Sequence, residues 1–228
     1  MNAAVNTTTI GFMLSRPWFW ASLLDGLKIT LYISGVSILL AFVFGIVVGV
    51  ARYSRAPVIS WIATAYIEFI RNIPLILLML FCFLVGQMKD VAAAILALTV
   101  FTTAVIAEVV RGGLNSVPKG QWEAARSQGM SYLQILRHIV LPQSVTKMIP
   151  PIVSQFVTAI KDSSFALLLG VVELTARGNI LKSLFSGVGQ ILMIYAVIAL
   201  FYFSINFAIS LVARALQKRL SAGRGSIG

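Results

Sequence analysis

Charge is the property this chain has least of. Only 11% of its 228 residues are Asp, Glu, Lys or Arg, whereas about a quarter of the residues in soluble domains are charged. The run 29–51 contains no ionisable side chain at all. Roughly 20 apolar residues are enough for a helix to span the hydrocarbon core of a bilayer. The composition therefore excludes an ordinary soluble fold and predicts an all-α integral membrane protein.

Cysteine and histidine are nearly absent as well. Cys82 is the only cysteine and His138 the only histidine, which excludes an intrachain disulfide and argues against a metal site. No run of the form G-x-x-x-x-G-K-[ST] occurs, so the sequence has no Walker-type phosphate loop. We therefore expect no metal site and no bound nucleotide in this chain.

Five spans are predicted from hydropathy, and the N-terminal apolar run is interpreted as a retained first span. They lie at about 27–51, 58–87, 91–111, 142–171 and 188–213. Glu68 and Arg71 are three residues apart in the second span and are predicted to pair. The fourth span is expected to be interrupted at Pro150 and Pro151, and again at 161–164. Gly45 and Gly49 form a G-x-x-x-G pattern, which permits close helix approach.

The basic residues predict the orientation of the chain, because cytoplasmic loops are enriched in Lys and Arg. We therefore attribute the net charge of +11 to basic residues that orient the chain in the membrane, and not to nucleic-acid binding. With the C-terminus inside, the larger share of the cations lies in the cytoplasm, namely Arg52, Arg55, Arg71, Arg111, Lys119, Arg126, Arg137, Lys147, Arg214, Lys218, Arg219 and Arg224. The smaller share, outside, is Arg16, Lys28, Lys89, Lys161, Arg177 and Lys182. We predict one transmembrane domain over 1–228, with its N-terminus outside, its C-terminus in the cytoplasm, and Trp18 and Trp20 as interfacial anchors ahead of the first span.

The loop 113–141 is the longest polar stretch and falls on the cytoplasmic side. A cap at Asn115-Ser116 and Pro118 in the first turn predict a short helix, which Gly129 should end. Ser131 and Gln134 have the spacing of a capping box for a second short helix, with Leu133, Leu136 and Val140 on one face. From these residues alone, the loop could equally be an amphipathic segment lying on the lipid headgroups.

A longer pattern in this loop carries a family resemblance. Glu123-Ala124-Ala125, then Gly129, then the run that ends in Leu141-Pro142 resembles the signature of the permease subunits of type I ATP-binding-cassette importers. The blocks LLDGLKITLYIS, EFIRNIPLILLML and AEVVRGGLNSVPKGQWEAA are similar to the polar amino acid branch of that family, and the similarity covers about 23–215. Asp162-Ser163-Ser164 stands where relatives often have Asp-Thr-Ser.

The resemblance implies how the chain is powered. In that family this loop docks into a cleft on an ATPase subunit, so Glu123 and Gly129 are carried over as coupling residues. We call the segment 119–141 the elbow. Its shape is attributed to Ala124, Ala125, Leu141 and Pro142. The resemblance further implies two ATPase subunits, which bind the ATP and magnesium, so that this chain is a transport subunit and not an enzyme. It also implies a second permease chain, either a copy of this one or a related one, an external binding protein and a bacterial inner-membrane location.

Ionisable groups within spans are costly and usually face a cavity or a partner. Glu108, Lys161 and Asp162 are therefore candidates to line the path of the substrate, with Ser163 and Ser164 as hydroxyl donors. A structural alternative is that Glu108 pairs with Arg111, and that 161–162 marks the outer end of a helix broken after the two prolines. Thr102 and Thr103 either line the same cavity as Glu108 or bond back to their own helix.

The substrate expected from the resemblance is glutamate, aspartate or glutamine. Another small polar solute, such as a basic amino acid or an opine, is the alternative within the family. A self-sufficient channel or secondary transporter fits the capped elbow poorly. An intramembrane protease is disfavoured because His138 lies in the cytoplasmic loop while Ser163 and Ser164 lie near the opposite face.

Overall fold

The computed structural model describes residues 10–54 and 56–222, and every regular element within them is helical. A π-helical turn, Leu136–Val140, precedes the helix that begins at Leu141, and a 3₁₀ segment, Ser163–Leu169, follows it. The all-α class predicted from composition is confirmed. The α-helices are α1 (Pro17–Tyr53), α2 (Pro57–Arg71), α3 (Leu75–Leu84), α4 (Asp90–Asn115), α5 (Lys119–Ser127), α6 (Tyr132–Ile135), α7 (Leu141–Asp162), α8 (Leu174–Ser183) and α9 (Val188–Ala222).

The number of spans agrees with the prediction of about five. Four helical stretches are long and apolar enough to cross a membrane, and α2 with α3 makes a fifth if the two are counted as one broken span. The four are Pro17–Tyr53, Asp90–Asn115, Tyr132–Leu169 and Val188–Ala215.

The first span is longer than predicted. α1 begins at Pro17 and not near residue 27, so Trp18 and Trp20 lie inside the helix instead of ahead of it. Proline suits a first helical turn because its missing N–H has no partner there in any case. The apolar residues that follow let the helix start at once. Trp20 also donates its indole N–H to the Leu14 carbonyl oxygen at 2.8 Å, which ties the start of α1 to the preceding turn.

The second predicted span is broken, which hydropathy alone did not indicate. α2 ends at Arg71 and α3 starts at Leu75. Pro74 disfavours helical backbone at the residue before it, and the Asn72 side-chain amide donates to the Glu68 carbonyl oxygen at 2.6 Å. Together these local groups end α2, although the apolar run continues.

The fourth span was expected to be interrupted at its two prolines, and that expectation is wrong. Pro150 and Pro151 lie inside α7, which continues to Asp162. Prolines are tolerated within membrane helices where other groups take the freed carbonyls. The second expected interruption is correct, since α7 ends at Asp162 and the backbone tightens into the 3₁₀ segment.

Contacts divide the chain into two compact units. The first takes its described residues from Met1–Ser37, Leu75–Leu98 and Thr158–Phe207. Its core joins the start of α1 to α8 and α9 through Phe19, Leu23, Leu174, Leu181, Ile194 and Ile198.

The second unit takes its described residues from Ile38–Pro74, Thr99–Val157 and Ala208–Gly228. Here α1 packs on α4 at the predicted G-x-x-x-G. A Cβ on Gly45 would lie 2.6 Å from Ile106 Cγ2, and one on Gly49 would lie 2.7 Å from the Ala107 carbonyl oxygen. Helices in lipid associate by such close packing. The interpretation of these two glycines is therefore confirmed.

Some sequence predictions fall on residues that the structure does not describe. Arg55 and Arg224, which were counted among the cytoplasmic cations, lie outside the described ranges, and the Arg219 side chain is likewise not described.

Candidate functional site

The polar loop folds into a short helix followed by a tight turn. α5 ends at Ser127, and Gly129 adopts φ of +78°, a left-handed conformation that glycine reaches at little cost. The Met130 N–H donates to the Ala125 carbonyl oxygen at 3.2 Å, which closes the turn. The prediction that Gly129 ends this helix is confirmed.

The capping box predicted from Ser131 and Gln134 is also present. The Ser131 hydroxyl accepts from the Gln134 N–H at 3.4 Å, and the Gln134 side-chain oxygen accepts from the Ser131 N–H at 2.8 Å. These two bonds fix where the chain turns back into helix.

The helix that starts there is not the separate short helix that was predicted. α6, the π-helical turn and α7 form one continuous stretch, because the Leu141 N–H donates to the Leu136 carbonyl oxygen five residues back. Pro142 offers no N–H, and its ring crowds the carbonyl four residues before it. Widening the helix by one residue in the turn before Pro142 accommodates this ring.

The base of the loop differs from the prediction too. The Ser116 hydroxyl donates back to the Gly113 carbonyl oxygen at 2.7 Å and does not cap α5. Pro118 occupies the N-cap position, where no side-chain cap is formed. The expected cap at Asn115-Ser116 is therefore wrong, because Asn115 belongs to α4 and the Ser116 hydroxyl is used within that turn.

One side of α5 is fixed to the rest of the second unit. Ala125 is buried in a cluster with Val117, Ile135 and Val140. The rings of Trp122 and Tyr132 stack with their centroids 5.4 Å apart. Alanine is the residue that permits this approach, because a larger side chain would separate α5 from the continuous helix.

The opposite side of α5 faces away from that cluster. Glu123, Ala124 and Gly129 are exposed, whereas Ala125 is buried. The predicted face of the following helix is partly wrong. Leu133, which was predicted to lie on the packed face, is 70% exposed, and Ile135 is buried in its place. The register is set by the capping box, which directs residue 135 inward.

Leu141 and Pro142, predicted to shape the elbow, lie at the start of α7 and are both exposed. His138 Nδ1 lies 3.0 Å from the Gln134 carbonyl oxygen, so this ring is engaged with its own helix. No group of three potential metal-ligating side chains occurs within the described part of the chain.

Four charged side chains form a cluster in the second unit, and Glu108 is at its centre. Its carboxylate accepts from Arg52 at 2.5 Å and from Arg111 at 2.6 Å. Arg52 also donates to Glu68 at 2.9 Å. The prediction that Glu68 pairs with Arg71 is wrong, because the ion pair of Glu68 is with Arg52 from α1.

A cavity of about 370 Å³ opens beside Glu108 in the same unit. Lys147, Ser116 and Pro151 line it, together with the backbone at Gly112 and Gly113. One acidic and one basic side chain thus face the same space. Thr102 and Thr103 are buried and are not among the residues that line it.

The other predicted substrate-path residues belong to the first unit, at the end of α7. Lys161 is exposed, and Asp162 and Ser164 are partly buried. Ser163 is fully buried, and its hydroxyl donates to the Ile160 carbonyl oxygen at 2.8 Å. The Ser163 hydroxyl is therefore committed to its own helix.

Glu173 is a buried carboxyl group that the sequence did not single out. It caps α8 by accepting from the Ala176 N–H at 2.7 Å. Its other oxygen accepts from Tyr202 at 3.1 Å and from Thr30 at 3.3 Å. Burial raises the pKa of the Glu173 carboxyl, and the backbone N–H bonds of residues 175 and 176 oppose this shift. The available signal was an acid directly before a helix start, next to an apolar run.

Comparisons with known proteins agree with this architecture. Residues 41–222 match the family described as binding-protein-dependent transport system inner membrane component. The chain is 43% identical over 204 residues to the probable glutamine ABC transporter permease protein GlnP of Bacillus subtilis, covering 87% of this chain and 94% of that one. It is 34% identical over 229 residues to the glutamate transport system permease protein GluD of Corynebacterium glutamicum, covering 93% of this chain and 80% of that one.

A solved structure, described as an amino acid ABC transporter with histidines, superimposes with a TM-score of 0.82. It shares 26% sequence identity and covers 91% of this chain and 98% of that one. The family match spans most of the chain, and the two sequence relatives and the solved structure are all described as amino acid transporters or their permeases. This chain belongs to the binding-protein-dependent transport system inner membrane components, as a permease of the polar amino acid branch of type I ABC importers.

Proposed function

We propose that this chain carries glutamine, glutamate or aspartate across a bacterial inner membrane as the permease subunit of an ATP-driven importer. The relatives that are 43% and 34% identical are named for glutamine and glutamate, which supports this choice of substrate. The whole of 1–228 acts as one permease domain, with its N-terminus outside and its C-terminus in the cytoplasm.

The observation that carries the proposal is the two-sided character of α5. Ala125 anchors one side in the core of the second unit, while Glu123, Ala124 and Gly129 leave the other side exposed and mostly small. A partner that held this exposed side would therefore move the core of the unit with it. We assign Glu123 and Gly129 to contact with the ATPase. Ala124, Ala125, Leu141 and Pro142 maintain the shape of the elbow.

The transport cycle then couples ATP binding and the loaded binding protein to the conformation of the spans. ATP and magnesium bind to two partner ATPases, and this chain supplies no residue to that chemistry. Closure of the ATPases moves the elbows of two permease chains, either two copies or a related pair. A loaded external binding protein and ATP favour different states of the spans, so each ligand shifts the equilibrium between inward- and outward-open forms.

For the path of the substrate we propose Glu108 and the residues at the end of α7. Glu108 supports this role because it lines a cavity together with Lys147. A zwitterionic amino acid there would meet one acidic and one basic side chain, each of which is also bonded within the chain. Lys161 and Asp162 place a second pair of opposite charges next to one another. Ser164 is the stronger candidate for a substrate contact of the two serines, because the Ser163 hydroxyl already donates a hydrogen bond to the Ile160 carbonyl oxygen.

An uptake panel tests the proposal. Cells that lack this chain should lose ATP-dependent uptake of labelled glutamine, glutamate or aspartate, and a plasmid copy should restore it. Labelled arginine and histidine serve as matched basic solutes. Loss of basic amino acid uptake alone would refute the proposed substrate while leaving the importer role intact. Uptake that persists without ATP would instead indicate a channel or secondary transporter.

A further inference from the structure

The second unit contains an apolar groove that the transport mechanism above does not use. It has a volume of about 340 Å³ and is lined only by apolar side chains of α1, α4 and α7. Its lining residues include Val50, Leu114, Leu141, Val145, Phe42 and Phe156. Because Phe42 contacts Phe156, α1 and α7 run in opposite directions along the groove, so Val50 and Leu141 lie at one end and the two phenylalanines at the other. We call this feature the inner groove.

Two aromatic rings mark one end of the inner groove. Phe42 and Phe156 meet edge to face there, with ring centroids 6.0 Å apart. The two residues at the opposite end are close in sequence to the polar elbow and to Arg52, which marks the end of the apolar run in α1. With the predicted orientation, the groove therefore opens at the cytoplasmic headgroup level and ends towards the centre of the bilayer.

The dimensions of the groove identify its occupant. From Phe42 to Val50, α1 rises about 12 Å at 1.5 Å per residue. The hydrocarbon part of one leaflet is about 15 Å deep, half of the bilayer core. One turn of an α-helix, about 5.4 Å long and about 10 Å across, occupies roughly 420 Å³. A groove of this length and volume accommodates a single hydrocarbon chain along its whole length, whereas a helix from another protein could place only its side chains there.

A cation lies one helical turn beyond the Leu141 end of the groove. Arg137 is exposed, is one helical turn before Leu141, and forms no ion pair within the described residues. An arginine at this level attracts anionic lipids of the cytoplasmic leaflet. We propose that the inner groove binds one acyl chain of an anionic phospholipid, with Arg137 contacting the headgroup.

Native mass spectrometry of the assembled transporter tests this proposal. In mixed micelles containing phosphatidylglycerol and phosphatidylcholine, the wild type should retain one phosphatidylglycerol per permease chain. Val145→Trp fills the groove and should reduce this occupancy at least fivefold. Val212→Trp is the matched control, because Val212 is 69% exposed on α9 and is not among the residues that line the groove. Retention that is equal in both variants would overturn the proposal.

Three further variants keep the test decisive if Val145→Trp fails to assemble. Arg137→Glu should abolish the preference for phosphatidylglycerol over phosphatidylcholine, while Arg137→Lys should retain it; an unchanged preference in Arg137→Glu would count against the headgroup contact. Val145→Cys in a Cys82→Ala background tests for a second copy in the groove. A disulfide between two such chains in native membranes would show that protein, and not lipid, covers the groove.

Discussion

The Lys147 ammonium in α7 donates a 2.8 Å hydrogen bond to the carbonyl oxygen of Ser116, the residue that follows α4. This bond joins two helices that are far apart in sequence at the base of the elbow. Together with the cluster around Ala125, it connects the elbow to the transmembrane helices of the second unit. If an ATPase holds the elbow, the connection determines how much of its motion reaches the spans.

Lys147→Met should therefore weaken coupling more than folding. The lost bond is worth about 1 kcal/mol in stability, so the transporter should still assemble, while transport per ATP hydrolysed should fall severalfold. Lys147→Arg retains a donor and should be close to wild type. The measurement is the ratio of uptake to ATP hydrolysis in proteoliposomes. An unchanged ratio in Lys147→Met would show that the bond has no role in coupling.

Gly129 offers a test that separates backbone conformation from docking. A Cβ at this position would meet nothing within 4 Å, so only its φ of +78° resists substitution within the chain. Asparagine tolerates this conformation, whereas for alanine it costs about 1 kcal/mol. If the ATPase needs a bare surface here, Gly129→Asn and Gly129→Asp should both lose the ATPase in a pull-down, and Gly129→Ala should lose less. Full retention by Gly129→Asn would leave glycine with a purely conformational role.

The charged cluster predicts coupled stability effects. Glu108→Gln removes one of the two carboxylates that Arg52 contacts, and Arg52→Gln removes one of the two arginines that contact Glu108. Each should lower stability by about 2 kcal/mol, and the double variant should lose less than the sum. Thermal unfolding of the four proteins in one detergent measures this coupling. Additive losses would mean that the ion pair contributes nothing beyond its separate residues.

A role of Glu108 in substrate transport makes a different prediction. Glu108→Gln should then raise the KM for uptake, and Arg52→Gln should affect KM less, because Glu108 lines the cavity whereas Arg52 is not among its lining residues. Equal changes in KM for the two variants would assign Glu108 to structure alone.

Glu173 predicts a pH dependence of stability in the first unit. Its folded-state pKa is raised by burial, so its contribution to stability is greatest at low pH and is lost as the pH rises through the raised pKa. Glu173→Gln keeps the shape and the acceptor for Ala176 without the titration. The Tm of the wild type relative to Glu173→Gln should therefore fall as the pH rises above about 4.3, the ordinary pKa of a glutamate carboxyl. A constant or rising difference would contradict the raised pKa.

The helical class, the approximate spans and the capped turn at Gly129 were all predictable from the sequence. Each depends on local chemistry, namely long apolar runs, a glycine that permits positive φ, and the spacing of Ser131 and Gln134. These signals act within a few residues, so they survive without knowledge of the tertiary fold.

The features that the sequence did not predict depend on partners far along the chain. Glu68 pairs with Arg52 and not with its neighbour Arg71, because α1 brings Arg52 to it. The burial of Glu173 depends on Thr30 and Tyr202, which are distant in sequence and surround its carboxylate only in the folded chain. One missed feature is local instead: the continuous helix through Pro142 depends on a π-helical turn, whose five-residue bond leaves no clear pattern in the sequence.

The central claim is that the elbow 119–141 is held by an ATPase. Gentle purification of the tagged chain from its native membrane, followed by mass spectrometry, tests it most directly. We predict a Walker-containing ATPase in stoichiometric amount with the wild type and its loss with Gly129→Asp, while the variant remains inserted. The same experiment would show whether a second permease is present. A wild-type chain that purifies alone with transport activity intact would contradict the account.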